Sequence, residues 1–172
     1  ERRIYWGETH GHSGLAEGQG SPEFYFRFAR EDAVLDFVTL SEHDLWMDNS
    51  EWELLRSTVT KYKKENEFIV YLGYEWTMTP SQGGHHNVFF RRPEGRKRVG
   101  VQRAPTLSDL VFKLKQENAN VEDVLVIPHC HNIGDWRITD PDVERLVEIM
   151  SQHGTFEWFG NRYVERGYQK GF

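Results

Sequence analysis

The sequence contains a single cysteine, Cys130, among its 172 residues, so no disulfide can form within it. This cysteine usage is consistent with a reducing compartment. No apolar run reaches about 18 residues, the length needed to cross a bilayer, so we expect no membrane partner. A basic segment followed by an apolar one is also missing at the start, which begins at Glu1, so no signal peptide is predicted within the sequence.

Positive charge is outnumbered by negative charge, with 21 Lys and Arg against 27 Asp and Glu. The net charge is −6 and the isoelectric point is about 5.8, so nucleic acid is not the expected partner. The basic residues that stand out lie in one stretch, between Arg91 and Arg103. That stretch is either a solvated loop or a clamp for an anionic substrate, and both interpretations stay open.

Histidine, in contrast, is concentrated in a few places. Seven of the eight histidines lie in four short clusters. The first is His10-Gly11-His12, where a spacing of two puts both side chains on the same side of an extended strand. The others are Glu42-His43-Asp44, His85-His86 and His129-Cys130-His131. Imidazoles and carboxylates grouped in this way are typical of a site for Zn²⁺, Mn²⁺ or Fe²⁺.

Strands and helices are predicted to alternate along one domain over residues 1–172. The predicted strands are Ile4–Thr9, Phe37–Ser41, Phe68–Tyr74, His85–Phe90, Val124–Ile127 and Leu146–Met150. Each predicted helix follows a capping residue: the first begins at Pro22 with Ser21 as its cap, the second at Glu51 with Ser50 as its cap, and the third after a Thr106 cap. They are expected to end near Asp32, Glu65 and Glu117. Ligand-type residues come from five separate strand regions, which favours a parallel α/β barrel over an open doubly wound sheet.

The candidate metal ligands are the residues that stand at these strand ends. Glu75 closes the most apolar strand, and the imidazole candidates are His10, His12, His43, His85 and His129. Glu17 and Asp44 could ligate a further ion or orient an imidazole. The simpler alternatives are a hydrogen-bonding histidine, an ion pair between Glu75 and an arginine, and a solvated Glu17. His85 and His86 should point to opposite faces, so only one is expected to ligate.

Five ordered motifs together resemble the PHP (polymerase and histidinol phosphatase) superfamily. They are Gly7-Glu8-Thr9-His10-Gly11-His12-Ser13 with Glu17-Gly18, Leu40-Ser41-Glu42-His43-Asp44, Gly73-Tyr74-Glu75, His85-His86-Asn87-Val88 and Ile127-Pro128-His129. The resemblance implies a distorted (β/α)7 barrel with two or three divalent ions (Zn, Mn or Fe) and hydrolysis, most often of phosphoesters.

The resemblance also implies individual roles. His10 and His12 would hold the first ion, Glu75 would bridge the first and second ions, and His85 would ligate the second ion together with His129. Glu17 and His43 would belong to a third ion.

The sequence departs from the family pattern in two ways. Glu42 stands where the family has an aspartate, and the last Asp-x-His motif is absent, so we expect the N-terminal part of a barrel. An incomplete barrel would expose strand edges, which allow pairing between chains as a homo-oligomer.

These observations predict a metal-dependent phosphoesterase whose substrate is an anionic small molecule. His131 or a nearby acid, Asp44, is expected to protonate the leaving group. A carbamate or ester hydrolase on the same site, and a non-catalytic metal-binding barrel, remain as alternatives. An amidohydrolase-type barrel is disfavoured, because it would normally supply a lysine where Glu75 stands.

Overall fold

A computed structural model describes residues 2–118, 120–129, 138–151 and 154–155. Its helices are α1 Pro22–Glu31, α2 Asn49–Tyr62 and α3 Leu107–Glu117. Its strands are β1 Gly7–Glu8, β2 Phe37–Thr39, β3 Ile69–Thr77, β4 His85–Phe90, β5 Val124–Pro128, β6 Met150–Ser151 and β7 Gly154–Thr155. None of the helices in these ranges is both long and apolar enough to span a membrane.

Five strands form one sheet in the order β1-β2-β3-β4-β5. β2 pairs in parallel with β1, where Phe37 is opposite Gly7, and with β3, where Phe37 is opposite Ile69. β6 and β7 form a separate antiparallel pair. Parallel strands connected by helices confirm the predicted α/β class.

The chain divides into two compact units. The first unit contains the described residues up to Tyr74 together with Phe89–Arg96. The second contains Glu75–Val88 and the described residues from Lys97 onward. The interpretation of residues 1–172 as a single domain stays a prediction.

Aromatic and aliphatic side chains fill the core of the first unit. Trp52 of α2 packs edge-on against Tyr74, with ring centroids 5.8 Å apart, and against Phe90 at 6.3 Å. Leu55 and Val59, one and two turns further along α2, are fully buried. This spacing places the three side chains on one face of the helix, so α2 is positioned by burial of that face, which is the main source of helix stability in proteins.

The second unit has its own core around β3 and α3. Trp76 is fully buried, and its indole Nε1 donates a hydrogen bond to the carbonyl oxygen of Ala104 at 3.0 Å. Leu107, Leu110 and Leu114 present one buried side of α3. A buried indole that satisfies its N–H in this way fixes the residues between β4 and α3 against the core.

The helix caps agree with the sequence at two of three positions. Ser21 caps α1 and Thr106 caps α3, as predicted. The predicted Ser50 cap of α2 is wrong, because Asp48 is the cap. The Asp48 side chain accepts a hydrogen bond from the backbone N–H of Glu51, and the Glu51 side chain accepts one from the backbone N–H of Asp48. This reciprocal capping box satisfies two backbone donors, which a serine at the second position of the helix cannot do.

Three strand predictions also need correction. β1 contains only Gly7–Glu8, and the apolar residues before it are exposed: Ile4, Tyr5 and Trp6. β3 continues to Thr77, so Glu75 lies within the strand and not at its end. The predicted strand Leu146–Met150 is replaced by the two residues of β6 and an isolated bridge at Glu148, because its apolar side chains find no core and stay exposed.

Candidate metal centre

Ligand-type residues of the first unit follow its parallel strands. The loop from Gly11 to Gly20 comes after β1, and His43 comes after β2. The two segments are tied together by the Ser41 backbone N–H, which donates to the carbonyl oxygen of Gly11 at 2.8 Å. Because the carboxyl ends of parallel strands meet at one edge of a sheet, these side chains converge there.

The first cluster consists of His12, Glu17 and His43. Glu17 Oε1 lies 3.8 Å from His12 Nε2 and 3.5 Å from His43 Nε2. The two imidazole rings are stacked, with centroids 4.7 Å apart and an interplanar angle of 9°. All three side chains offer a ligand atom within 4.8 Å of the others.

This donor set fits a divalent ion. Ligand atoms bound at about 2.1 Å to one ion lie roughly 3.0 to 3.5 Å apart, so the observed separations need only small adjustments. Two imidazoles with one carboxylate suit zinc, iron or manganese, and three protein ligands leave positions for water and substrate. Ligation by His12, Glu17 and His43 itself stays a prediction.

His10 and Asp44 lie beside the first cluster. The His10 ring is edge-on to that of His12, with centroids 5.4 Å apart. Asp44 follows His43 and is 6% exposed, so its carboxylate is removed from bulk solvent. The predicted roles of His10 as a ligand and of Asp44 as a proton donor stay predictions.

The second cluster consists of Glu75, His85 and His129. Glu75 Oε1 lies 2.6 Å from His85 Nδ1 and 3.9 Å from His129 Nδ1. The three residues come from β3, from the first position of β4 and from the residue after β5, and their ligand atoms lie within 4.8 Å of one another. Glu75 and His129 are each 1% exposed, which keeps water from competing with a bound ion.

The second cluster has the same composition as the first, so it too fits a divalent ion. The backbone N–H of His129 donates to the carbonyl oxygen of His85 at 3.1 Å, which fixes the two imidazole-bearing residues relative to each other. Two ionic partners of Glu75 in this cluster are histidines, His85 and His129, and the alternative of an ion pair with arginine stays open.

His86 lies apart from the second cluster. Its Nε2 is 3.4 Å from Glu144 Oε1, and its ring packs edge-on against Trp76 at 5.9 Å. Consecutive residues of a strand point to opposite faces, and this alternation brings His85, not His86, to Glu75. The predicted choice between the two histidines therefore agrees with the geometry, although ligation by His85 is untested.

One further predicted site residue lies outside the described part of the chain. His131, the other candidate proton donor, falls in the undescribed range 130–137, as does Cys130.

The basic stretch is described, and Arg96 within it is buried, with Nε donating to the carbonyl oxygen of Arg92 at 3.1 Å. Arg103 forms an ion pair with Glu117. These two arginines therefore support the fold locally, which the solvated-loop interpretation did not predict.

A buried acid that was not among the predicted site residues lies next to the first cluster. Glu42 is fully buried, and its Oε1 accepts hydrogen bonds from the backbone N–H of Ser13 at 2.8 Å and from the Ser13 hydroxyl at 2.5 Å. The only signal in the sequence is adjacency, since Ser13 follows His12 and Glu42 precedes His43.

Burial also changes the acidity of two groups near the ligand loop. It raises the pKa of the Glu42 carboxyl above its usual range, although the hydrogen bonds from Ser13 act in the opposite direction. Burial, with the negative charges of Glu8 and Glu42, raises the pKa of the Tyr25 hydroxyl. The Tyr25 side chain therefore stays neutral at physiological pH. It lies against Gly11, and a Cβ atom added to Gly11 would overlap the Tyr25 hydroxyl.

Gly18 closes the ligand loop against its own start. A Cβ at this position would overlap the carbonyl oxygen of His12, a backbone atom that cannot move aside without moving the imidazole. We expect Gly18→Ala to weaken zinc binding by about tenfold or more, since supports of metal ligands carry effects of that size. The measurement is a zinc titration against a competing chelator.

Gly95→Ala is the matched control, because nothing lies within 4 Å of a Cβ at that position, although its φ of 67° makes alanine strained there. It should cost some stability and leave zinc affinity unchanged. Equal zinc affinities for both glycine variants and the unmodified protein would contradict the tight-loop interpretation.

Comparisons with known proteins identify relatives and a shared fold. The model of the DUF3604 family, described as a protein of unknown function, matches residues 16–138. An uncharacterized protein of Chlamydia pneumoniae is 25% identical to this chain over 162 residues, and one of Chlamydia muridarum is 26% identical over 162 residues. Each match covers 90% of this chain. The chain spans about a quarter of the length of these relatives, 25% in each case.

Two solved structures resemble the chain. One is a two-domain protein of Bacteroides vulgatus that contains a predicted PHP-like metal-dependent phosphoesterase. Its TM-score is 0.50 and its sequence identity is 17%, and the match covers 97% of this chain and 42% of the Bacteroides chain. The other is a candidate metal-dependent phosphoesterase of Bifidobacterium adolescentis, with a TM-score of 0.50 and 13% identity. This match covers 98% of this chain and 84% of the Bifidobacterium chain. At these identities the likeness shows a common fold.

Proposed function

We propose, from the two clusters and from the fact that the chain belongs to the DUF3604 family, that this protein is a metal-dependent hydrolase of phosphoesters. The observation that carries the proposal is the repeated donor set. Each cluster combines two imidazoles with one carboxylate, with ligand atoms within 4.8 Å. Structural metal sites are usually closed by four protein ligands, whereas three leave room for substrate.

The fold likeness supports a phosphoester as the bond that is broken. Both solved structures described above carry the description of a metal-dependent phosphoesterase, one of them PHP-like. We therefore extend the proposal to membership of the PHP superfamily, with the described sheet as part of a distorted (β/α)7 barrel. The parallel order of β1, β2 and β3, with candidate ligands after β1 and β2, is what such a barrel requires.

In this proposal one ion would be held by His12, Glu17 and His43, and another by Glu75, His85 and His129. The candidate ions are Zn, Mn and Fe, and the proposal includes a third ion. When bound, such ions acidify water and neutralise charge that develops on the attacked centre. The chain must also deliver a proton to the leaving group. Asp44, buried next to His43, and His131 are the proposed donors.

The substrate is proposed to be an anionic small molecule. Arg91 and Lys97 of the basic stretch are exposed and could contact anionic oxygens, whereas Arg96 and Arg103 are engaged within the fold. A homo-oligomer, formed by pairing of strand edges, stays part of the proposal. The net charge of −6 gives no support for nucleic acid as a partner.

Removal of metal tests this function. The purified protein should hydrolyse p-nitrophenyl phosphate or its diester, lose at least about 90% of that activity with a chelator, and regain it with Zn²⁺, Mn²⁺ or Fe²⁺. Glu53→Gln, an exposed change on α2, is the matched control and should behave like the unmodified protein. Hydrolysis that is indifferent to the chelator, or none with any of the three metals, would contradict the proposal.

A further inference from the structure

The members of the first cluster come from two separate segments of the first unit. His12 and Glu17 belong to the loop after β1, and His43 belongs to the segment after β2. Any error in the relative position of the two segments moves His43 away from the other two ligands. The contacts between these segments therefore decide whether the cluster is formed before an ion arrives.

Two sets of hydrogen bonds join these segments. One uses Ser41, whose N–H and hydroxyl both donate to the carbonyl oxygen of Gly11, at 2.8 and 3.3 Å. The other uses side chains: Glu42 Oε1 accepts from both the N–H and the hydroxyl of Ser13. Bonds to a carboxylate are about twice as strong as neutral ones, so the Ser13–Glu42 pair is the stronger tie.

The same serine also organises the rest of the ligand loop. The carbonyl oxygen of Ser13 accepts from the N–H of Ala16 at 3.2 Å and from that of Gly18 at 2.9 Å, on either side of Glu17. Ser13 is thus linked to Glu17 through the backbone turn and adjoins His12 directly. A carboxylate that holds Ser13 holds both of the ligands that the loop contributes.

The burial of Glu42 argues against a role in stabilising the fold alone. Both Glu42 and Ser13 are 0% exposed, and the second oxygen of Glu42, Oε2, is buried with no hydrogen-bond partner among the described residues. A buried carboxylate is destabilising relative to an apolar residue unless hydrogen bonds satisfy it well. An apolar side chain would fill this space more cheaply, but it could not hold Ser13.

We infer that Glu42 is a positioning residue, which acts through Ser13 to set His12 and Glu17 against His43. The inference rests on the proposed function only in taking the first cluster as a metal site. Glu42 does not touch the ion in this account. Its effect is on the affinity of the first cluster and not on that of the second.

The test is zinc affinity, measured by competition with a chromophoric chelator in protein that carries His85→Ala, so that the first cluster is measured without the second. In this background, Glu42→Gln keeps the shape of the side chain and removes its charge, and we expect about a tenfold loss of affinity. Ser13→Ala removes only the hydroxyl, a milder change that decides the matter if the Glu42 variant does not fold. We expect it to lose about threefold to tenfold.

The double variant shows whether the two residues act through one contact. If they do, its loss should be smaller than the product of the two single losses. Ser57→Ala and Glu53→Gln are the matched controls, since both lie at exposed positions of α2, and neither should change zinc affinity. A positioning role also predicts no change in the second cluster, measured in a His43→Ala background.

Four outcomes overturn the inference. Affinities within about twofold of the reference for both single variants would show that neither residue positions the cluster. Losses that multiply in the double variant would show that Glu42 does not act through Ser13, and an equal loss in the second cluster would indicate general destabilisation. If the His85→Ala protein binds no zinc while otherwise folded, the proposed metal site itself fails, and the inference with it.

Discussion

Replacement of His12 by alanine is expected to abolish hydrolysis. His12 supplies one of the three described ligand atoms of the first cluster, and its ring stacks on that of His43. Changes to partners that merely support metal ligands cost about 10- to 100-fold, so the loss of a ligand should exceed about 100-fold in kcat/KM. The measurement is steady-state hydrolysis of p-nitrophenyl phosphate with saturating metal.

His86→Gln is the matched control for this variant. His86 lies beside Trp76 and Glu144 and contributes to neither cluster, so its replacement by another polar side chain should preserve the metal content. A His12→Ala protein that retains more than half of the wild-type kcat with metal supplied would remove His12 from the site.

Replacement of Glu75 by glutamine is expected to lower the metal content by one ion per chain. Glu75 is the described carboxylate of the second cluster, and an amide oxygen offers no net charge to a divalent ion. The buried position leaves no room for solvent to compensate. Elemental analysis of the purified variant and the unmodified protein, prepared without chelator, measures the difference.

Glu67→Gln is the control, because Glu67 is exposed and its ionic partner is Lys64, at 3.7 Å. Its metal content should equal that of the unmodified protein. The same number of ions per chain in the Glu75→Gln protein would show that this carboxylate does not bind metal.

Local signals account for the parts of the fold that the sequence predicted well. Ser21 with Pro22, and Thr106 with Asp109, mark helix starts through contacts within four residues. β4 was predicted with the bounds that it has, His85–Phe90, because two glycines precede a run of residues suited to a strand. Such signals need no knowledge of distant contacts.

The errors arose where a distant contact or a competing local one decides the structure. The apolar residues before β1 look like strand, but the Trp6 N–H donates to the side chain of Asp36, 30 residues away, and the ladder starts only at Gly7. At α2 the cap was assigned wrongly because two polar residues two positions apart, Asp48 and Ser50, both suit a cap. The reciprocal bonds with Glu51 decide between them.

The sequence indicated which candidate residues lie together, while their ligation stays a prediction, and it did not indicate the contacts that support them. The alternation of side chains along a strand was enough to separate His85 from His86, and the two histidines of His10-Gly11-His12 do lie side by side. The Ser13–Glu42 pair joins residues 29 positions apart, and no pattern in the sequence announces that pairing. Supports of this kind depend on the folded chain, so they emerge only from the structure.

Metal content is the most direct test of the central claim. Elemental analysis of the protein, purified without chelator and dialysed against metal-free buffer, should find at least two ions of zinc, manganese or iron per chain, one for each cluster. A folded protein with no bound metal, and no gain after incubation with each of the three ions, would contradict the account.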